Sequence, residues 1–431
     1  MTSGHGKGSR RALRTLAPVM ADLRRAIQAA GPGLWAAPHL SGAAPSNATF
    51  LDAVPLSVGA LAVWQAGDEL LVAPVIEDGA GVRRASAGDG VFAALASEFD
   101  AAPDEASERT VGVDQTDESV IVGDAVVVKL LRRTRRGPQP GHDLPTHLAA
   151  IGFEETPTPM GFFTWDDALL ATGTAYLPGA EDGWRWYVGF VEAAALGERP
   201  WDDAEAVTSA MGSLVARFQR ALATPSPVLP TPRATATDEA IAGWRAAATA
   251  TFDEALALTE GDVHDRLRAQ EDRVRAVFDG FTRIDETPVT RIHGDLHVGQ
   301  ILRVPDGRMV VSDLDGDPVA PVEGRTALGA PARDVASMAC ALDHAGRVVV
   351  RRHPETQDAI EAWIPRARAA FLAAHREALG SDASLLDARL LHPFAVAQEA
   401  HEFVYAGRFQ PGWIGVPDAA LPAVLAWTDV P

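Results

Sequence analysis

One cysteine, Cys340, is all that the 431 residues contain, so no internal disulfide can form and nothing demands an oxidising compartment. It lies in an apolar helical stretch, where a buried and inert thiol is expected. Basic residues are short as well. There are 38 against 58 acidic ones, and a formal net charge of −20 lacks the basic footprint that nucleic-acid binding requires. No apolar run reaches the roughly 18 residues that a membrane-spanning helix needs. Near the start, Arg10, Arg11, Arg14, Arg24 and Arg25 interrupt the apolar core that a signal peptide would require. A cytoplasmic protein with neither a membrane nor a nucleic-acid partner is expected. Internal repeats and low-complexity segments are absent too. With 47% hydrophobic and 22% charged residues, the composition is that of an ordinary globular chain long enough for two or three domains.

Lysine is the most telling shortage. Lys7 and Lys129 are the only two among the 38 basic residues, the rest being arginine. In a composition that has replaced lysine almost everywhere, a lysine ending the strand-like run Ala125-Val-Val-Val-Lys129 points to a need for a compact ammonium, such as pairing with nucleotide phosphates. The arginines that follow it, Arg132, Arg133, Arg135 and Arg136, read as a solvated loop face.

What is present is concentrated between residues 291 and 317. The span Arg291-Ile-His-Gly-Asp-Leu-His-Val-Gly-Gln300 leads into a short strand. A turn at Pro305-Asp306-Gly307-Arg308 follows, then Met309-Val-Val-Ser-Asp-Leu-Asp-Gly-Asp317. Apolar and β-branched residues flank the turn, which predicts a hairpin whose open end carries both Gln300 and Asp313. Asp295 precedes the hairpin by five residues. A base, an amide oxygen and a second carboxylate can thus converge, the hard oxygen set that suits Mg²⁺ with water and phosphate. The pattern reads as nucleotide-dependent phosphotransfer.

These residues resemble the catalytic hairpin of the protein-kinase-like fold, His-x-Asp-x-x-x-x-Asn followed by Asp-Phe-Gly. The wording His-Gly-Asp-Leu-His-x-Gly-Gln is similar to the aminoglycoside phosphotransferase-like kinases, and among them to the actinobacterial maltokinases and the related glucosamine kinases. The resemblance implies an α+β, bilobal protein-kinase-like fold with an additional N-terminal α+β cap. Boundaries are expected at 1–108 for the cap, 109–177 for a β-rich nucleotide-binding lobe and 178–431 for a helical catalytic and substrate-binding lobe. In the cap, a helix is expected from Ala12 to Ala29 and β-like runs from Ser57 to Ile76 and from Gly90 to Glu98. Helices are predicted over Asp143–Ala150, Asp203–Ala223, Asp238–Thr259, Val263–Phe281 and Val335–His344.

The resemblance also implies roles. Asp295 would orient and deprotonate the acceptor hydroxyl, and Gln300 and Asp313, with Asp315, would hold Mg²⁺. Lys129 would brace the phosphates of ATP, with Asp143 orienting it. A glycine-rich loop covers the phosphates in protein kinases. Here Gln115-Thr116-Asp117-Glu118-Ser119 takes its place, offering Ser119 but also two acids that would repel phosphate. Tyr176 and Leu177, in Tyr176-Leu-Pro-Gly179, would form the adenine hinge. His293 reads as a brace of the loop, and His297 as a substrate contact. Asp334 opens a helix, where an Asp commonly caps; the resemblance assigns it to loop support or to substrate.

The acceptor should be read by the segment from Gln398 to Trp413. Gln398, Glu402 and Tyr405 share a helix face, and Trp413 follows as a stacking platform. The wording Gln-x-x-x-Glu-Phe-Val-Tyr-Ala-x-Arg-Phe looks like the glucosamine kinase branch, whereas maltokinases carry Lys and an acidic residue where this chain has Gln398 and Ala406. A protonated amino sugar would pair with Glu399, Glu402 and Asp295. That implies phosphorylation of glucosamine on carbon 6, with an amino sugar and ATP as small-molecule partners and a monomer or homodimer as the assembly. A maltokinase, an aminoglycoside phosphotransferase and a non-catalytic nucleotide-binding regulator stay open at this point.

Overall fold

The alternating apolar residues of the first part of the chain form strands that bury both faces. In the computed structural model, which describes residues 21–36, 47–99, 107–111, 117–316 and 326–427, they build two antiparallel sheets. The first has the order β1 (Thr49–Pro55), β2 (Ala60–Ala66), β3 (Glu69–Asp78), β4 (Gly81–Arg84). The second comprises β5 (Glu108–Thr110), β6 (Glu118–Val122), β7 (Val126–Leu130), β9 (Pro159–Trp165) and β10 (Ala168–Ala175), ordered β5-β6-β7-β10-β9. Between them in sequence, the two-residue β8 (Arg133–Thr134) crosses back to pair with β3.

Period-two burial explains how these sheets stack. Leu61, Val63, Leu70 and Val72 share one core with Val120, Val122, Val126, Val128 and Leu130 of the second sheet. On the opposite face, Ala62, Trp64, Leu71 and Ala73 pack with Leu23, Ile27 and Trp35. The first sheet is thus the middle layer, with helical residues 21–30 on one side and the second sheet on the other. Of the N-terminal helix expected over Ala12–Ala29, residues up to 20 lie outside the described residues, as do Lys7, Arg10, Arg11 and Arg14.

Two expectations change here. Gly90 to Glu98 is not β-like: Val91–Ser97 is a helix. Its N-terminal amides are satisfied from 15 to 20 residues downstream, because Glu108 of β5 accepts from Gly88, Gly90 and Ala93 at 2.6, 3.1 and 2.7 Å. No local residue announces that cap. The arginine run is a solvated face only in part: Arg133 and Arg136 are exposed, as expected, but Arg132 is not. Arg132 is buried, and it and Arg133 lie over the Trp35 ring at 4.3 and 4.9 Å, while Arg136 lies over Trp165 at 5.6 Å.

The chain divides into two compact units, one of residues 1–142 and 157–178, the other of 143–156 and 179–431. Both sheets belong to the first unit. The chain passes between the units three times: within the helix Pro140–Ala150, between Thr156 and Pro157, and within the Tyr176–Gly179 segment.

The second unit is mainly helical. Its longer helices are Gly183–Ala195, Trp201–Leu222, Asp238–Leu258, Pro331–Arg352, Gln357–Leu379 and Leu391–Arg408. The helix expected over Val263–Phe281 is broken instead into Gly261–Ala269 and Glu271–Phe278, because the Gln270 amide bonds to Leu267 three residues back and tightens the turn. Two small ladders complete the unit: β11 (Arg233–Thr235) with β12 (Pro288–Thr290), and β13 (Ile301–Arg303) with β14 (Met309–Val311). Cys340 is fully buried in the Pro331–Arg352 helix, and burial pushes its thiol well above the usual range.

Candidate active site

The predicted hairpin is present with the predicted register, Ile301 opposite Val311 and Arg303 opposite Met309. Neither edge is left open. On β13, Arg303 exchanges two backbone hydrogen bonds with Glu181 at 3.0 and 2.9 Å. On β14, the Val311 amide donates to Glu155 O at 2.9 Å, and the Thr156 hydroxyl donates to Val311 O at 2.9 Å. At the open end, the Gln300 carbonyl accepts from the amide and the hydroxyl of Ser312 at 2.8 and 3.1 Å. Asp313 follows at once with φ 59°, a left-handed conformation that turns the chain out of the ladder. Gln300 and Asp313 are therefore neighbours at one end, as the spacing implied. Asp315 lies two residues on; Asp317 falls outside the described residues.

The loop before the hairpin is held at its backbone. Asp334, in the first turn of the Pro331–Arg352 helix, accepts from the amides of His293 and Gly294 at 2.8 and 3.0 Å. Burial pushes its carboxyl upward, against the pull of His293 and the two amides. With both oxygens so used at 1% exposure, Asp334 is a clamp of the loop and not a substrate contact. His293 donates from Nε2 to Ser312 O at 2.9 Å and accepts at Nδ1 from the Asp295 amide at 3.3 Å. It ties the Asp295 backbone to the strand end beside Asp313, the bracing role expected of it.

His297 is placed by two close approaches. Its Nδ1 accepts from the Gly299 amide at 3.0 Å, and desolvation lowers its pKa to about 4, so the ring is neutral. A Cβ on Gly299 would lie 2.7 Å from both His297 Cε1 and Trp184 Cδ1, so only glycine fits between these rings. A Cβ on Gly183 would lie 1.5 Å from Val298 O, which brings the start of the Gly183–Ala195 helix directly onto the loop. Trp186 adds a hydrogen bond from Nε1 to Ile301 O at 2.9 Å.

Around His297 an aromatic and acidic wall assembles within the same unit. The Trp184 ring is 6.0 Å from His297 and 5.6 Å, edge-on, from Trp413. Trp413 donates from Nε1 to Glu402 Oε2 at 2.7 Å, and Gln398 donates to Glu402 Oε1 at 3.0 Å. Burial works against a charge on Glu402, but His344, His401 and these two donors outweigh it and hold its pKa below the usual value. Tyr405 packs against Phe409 at 5.7 Å, one turn beyond Glu402.

Glu399 departs from expectation. It is fully buried, and both oxygens engage His344 Nε2, at 2.9 and 3.2 Å, which removes it from the set available to a ligand. Glu402 lies three residues further along the same helix, about 60° round its axis, and is held by Gln398 and Trp413 instead, so the two acids serve different neighbours. Trp184 and His344 join the wall although neither was singled out from sequence. Asp182 caps the helix that starts at Gly183 and is readable, but no local signal says that Trp184 meets Trp413.

In the first unit, Ser119 and Lys129 are directly opposite each other on β6 and β7. Glu118 falls on the other face of the strand and pairs with Arg84, while Asp117 accepts from the Arg132 amide at 3.0 Å and lies 3.8 Å from the Lys129 ammonium. The two acids that would repel phosphate are thus both engaged with cations or amides. Gln115 and Thr116 lie outside the described residues. Tyr176 donates its amide to Ala125 O at 2.8 Å, and Arg109 covers its ring at 5.0 Å; Leu177 is the next residue. Asp143 belongs to the second unit, where its charge faces Arg291.

No family model matches the chain. A glucosamine kinase of Streptacidiphilus jiangxiensis is 42% identical over 380 residues, covering 82% of this chain and 85% of the relative. A glucosamine kinase of Mycolicibacterium smegmatis (strain ATCC 700084 / mc(2)155) is 38% identical over 368 residues, or 80% and 90% of the two chains. Among solved structures, crystal form B of a glucosamine kinase superposes with a TM-score of 0.78 at 36% identity, covering 93% of this chain and 99% of the other. A glucosamine kinase in complex with glucosamine, ADP and inorganic phosphate gives 0.73 at 37%, with the same coverage. The expected α+β, protein-kinase-like fold is the one observed. At this identity and coverage, the chain belongs to the glucosamine kinase family.

Proposed function

We propose that the chain transfers the γ-phosphoryl group of ATP to the carbon 6 hydroxyl of glucosamine, giving glucosamine 6-phosphate and ADP. The bond that forms joins the sugar oxygen to the γ-phosphorus; the one that breaks joins that phosphorus to the bridging oxygen of the departing ADP. Asp295 orients the hydroxyl and takes its proton, with its backbone fixed through His293. His297, neutral and with Nδ1 accepting from the Gly299 amide, can donate a hydrogen bond from Nε2 to the sugar without adding a charge. Gln300 and Asp313, with Asp315 nearby, are hard oxygen donors at one strand end, a set that fits Mg²⁺. Bound there, Mg²⁺ supplies charge neutralisation at the phosphates. Lys129 and Ser119 are the phosphate contacts assigned to the first unit, Tyr176 and Leu177 the adenine hinge.

The observation that carries the acceptor assignment is the Glu402 carboxylate, kept ionised between Trp413 and Gln398. An ammonium leaving water needs such a partner, and a neutral disaccharide does not. Trp184 and Trp413 offer edges and faces on which a sugar ring packs. The test is ADP release by the purified protein with Mg²⁺-ATP against glucosamine, glucose, maltose and an aminoglycoside, with the phosphorylated carbon located by NMR. Glucosamine should dominate, with phosphate on carbon 6. Preference for maltose, or phosphate on another carbon, overturns the assignment.

A further inference from the structure

Behind Glu402 lies a buried ion cluster that the transfer reaction itself does not use. His344 and Glu399 are 2% and 0% exposed, and one imidazole nitrogen bridges both carboxylate oxygens. The His344 ring stands perpendicular to Trp413 at 5.9 Å, and Trp413 is the residue that holds Glu402. Arg351, two turns along the same helix, donates to Gly412 O at 2.9 Å and so anchors the turn carrying Trp413. Asp343, 1% exposed, pairs through Oδ1 with Arg347 at 2.8 Å, and its Oδ2 has no hydrogen-bond partner.

We propose that His344 is a positioning residue of the acceptor pocket, set by Glu399 to hold Trp413 and Glu402, and that its charge leaves this cluster with one uncompensated carboxylate, which selects a cationic sugar. Three carboxylates, Asp343, Glu399 and Glu402, are offset by two cations of the Pro331–Arg352 helix, His344 and Arg347, while His401, only partly buried, lies beside Glu402 outside this set. A buried cluster with a single unmatched negative charge is completed by one ammonium. Burial opposes a charge on His344, but Glu399, then Glu402 and Asp343, lift its pKa to about 9, so the imidazolium persists through neutral pH. Neutral His297, His401 beside Glu402 and the buried Cys340 thiol are the other titratable groups facing the cluster. The inference rests on the amino-sugar reading of the site and adds to it the origin of its selectivity.

The experiment uses Glu399→Gln and the double variant His344→Gln/Glu399→Gln. In Glu399→Gln, His344 keeps its proton only at lower pH; below its midpoint the cluster is neutral, and above it the single negative charge returns. The double variant has that charge at every pH. The KM for glucosamine of each variant is divided by that of the unsubstituted protein at the same pH, which cancels titration of the sugar amine. Measurements are made about one pH unit on either side of the His344 midpoint, located by NMR of the imidazole. For Glu399→Gln the ratio should fall by about tenfold from the acid to the alkaline side, as an opposed charge is removed from the pocket, with the KM for ATP unchanged. The double variant should restore a ratio independent of pH. A Glu399→Gln ratio that stays flat across the His344 midpoint, or a double variant with the same pH dependence, overturns the proposal. Failure of the amino-sugar reading would show separately, as no glucosamine-dependent ADP release by the unsubstituted protein.

Discussion

The hairpin region proposed as catalytic draws its groups from one continuous stretch, His293 to Asp315, while the wall around His297 adds Trp184, His344, Gln398, Glu402 and Trp413 from three other parts of the chain. The two regions are held differently. The hairpin is fixed by main-chain hydrogen bonds, with Glu181, Glu155 and Ser312 closing its edges and Asp334 gripping two of its amides. The wall is fixed by side chains that hold one another, each bond depending on a residue with its own helix to satisfy. A backbone-held element keeps its geometry through most substitutions. A wall of mutually dependent side chains can be recomposed, which is how one phosphotransfer hairpin can serve different acceptors.

The substitution that should break both regions at once is Gly183→Ala. The added methyl would sit inside the Val298 carbonyl, so the helix start and the loop must separate, moving Trp184 and His297 together. A loss of about 3 kcal/mol or more is expected, with activity lost in step, read by chemical denaturation and ADP release. Asp334→Asn should break the hairpin and spare the wall. An amide cannot accept from both His293 and Gly294, so one buried donor is stranded at about 2 kcal/mol, and kcat should fall roughly a hundredfold as Asp295 loses alignment. Its KM for glucosamine should hardly move; a selective rise in that KM would show that the clamp reaches the wall.

The smallest expected effect sharpens the contrast from the other side. His344 has a folded pKa of about 9 against an ordinary 6.5. A raised pKa contributes stability that is fully present below about 6.5 and is lost as pH rises through about 9. The melting temperature should drop by several degrees more between about pH 7 and pH 10 than it does in His344→Gln/Glu399→Gln. Equal drops would mean that the pair carries no linked proton.

The same division governs what was legible in the sequence. That Gln300 and Asp313 are neighbours could be read because their meeting needs only a tight turn between two short β runs. Lys129 opposite Ser119 could be read because both lie on adjacent strands joined by Gly123-Asp124. Glu399 could not. Its carboxylate sits on the same helix as Glu402 and looks equally available, and only the position of His344, 55 residues earlier, shows which of the two is already engaged. The helix Val91–Ser97 was missed for a related reason, since Glu108 supplies its cap from a strand. Asp334 had the right location, a helix start, yet its oxygens cap the amides of a loop 40 residues away instead of its own helix.

Asp334 and His344 lie on one helix, ten residues apart, one at its first turn and the other near its middle. At 1.5 Å per residue they are separated by about 15 Å along a rod that does not stretch. The helix therefore acts as a spacer bar between the grip on the His293–Asp295 loop and the back of the wall around Trp413. On the function proposed above, it sets the span into which a sugar must fit before its hydroxyl reaches Asp295. Inserting a single residue between them would lengthen the bar little but turn His344 by about 100°, away from Glu399. Recognition could be redesigned on the outer helices at little cost to catalysis, whereas changing the length of this one helix would uncouple the two.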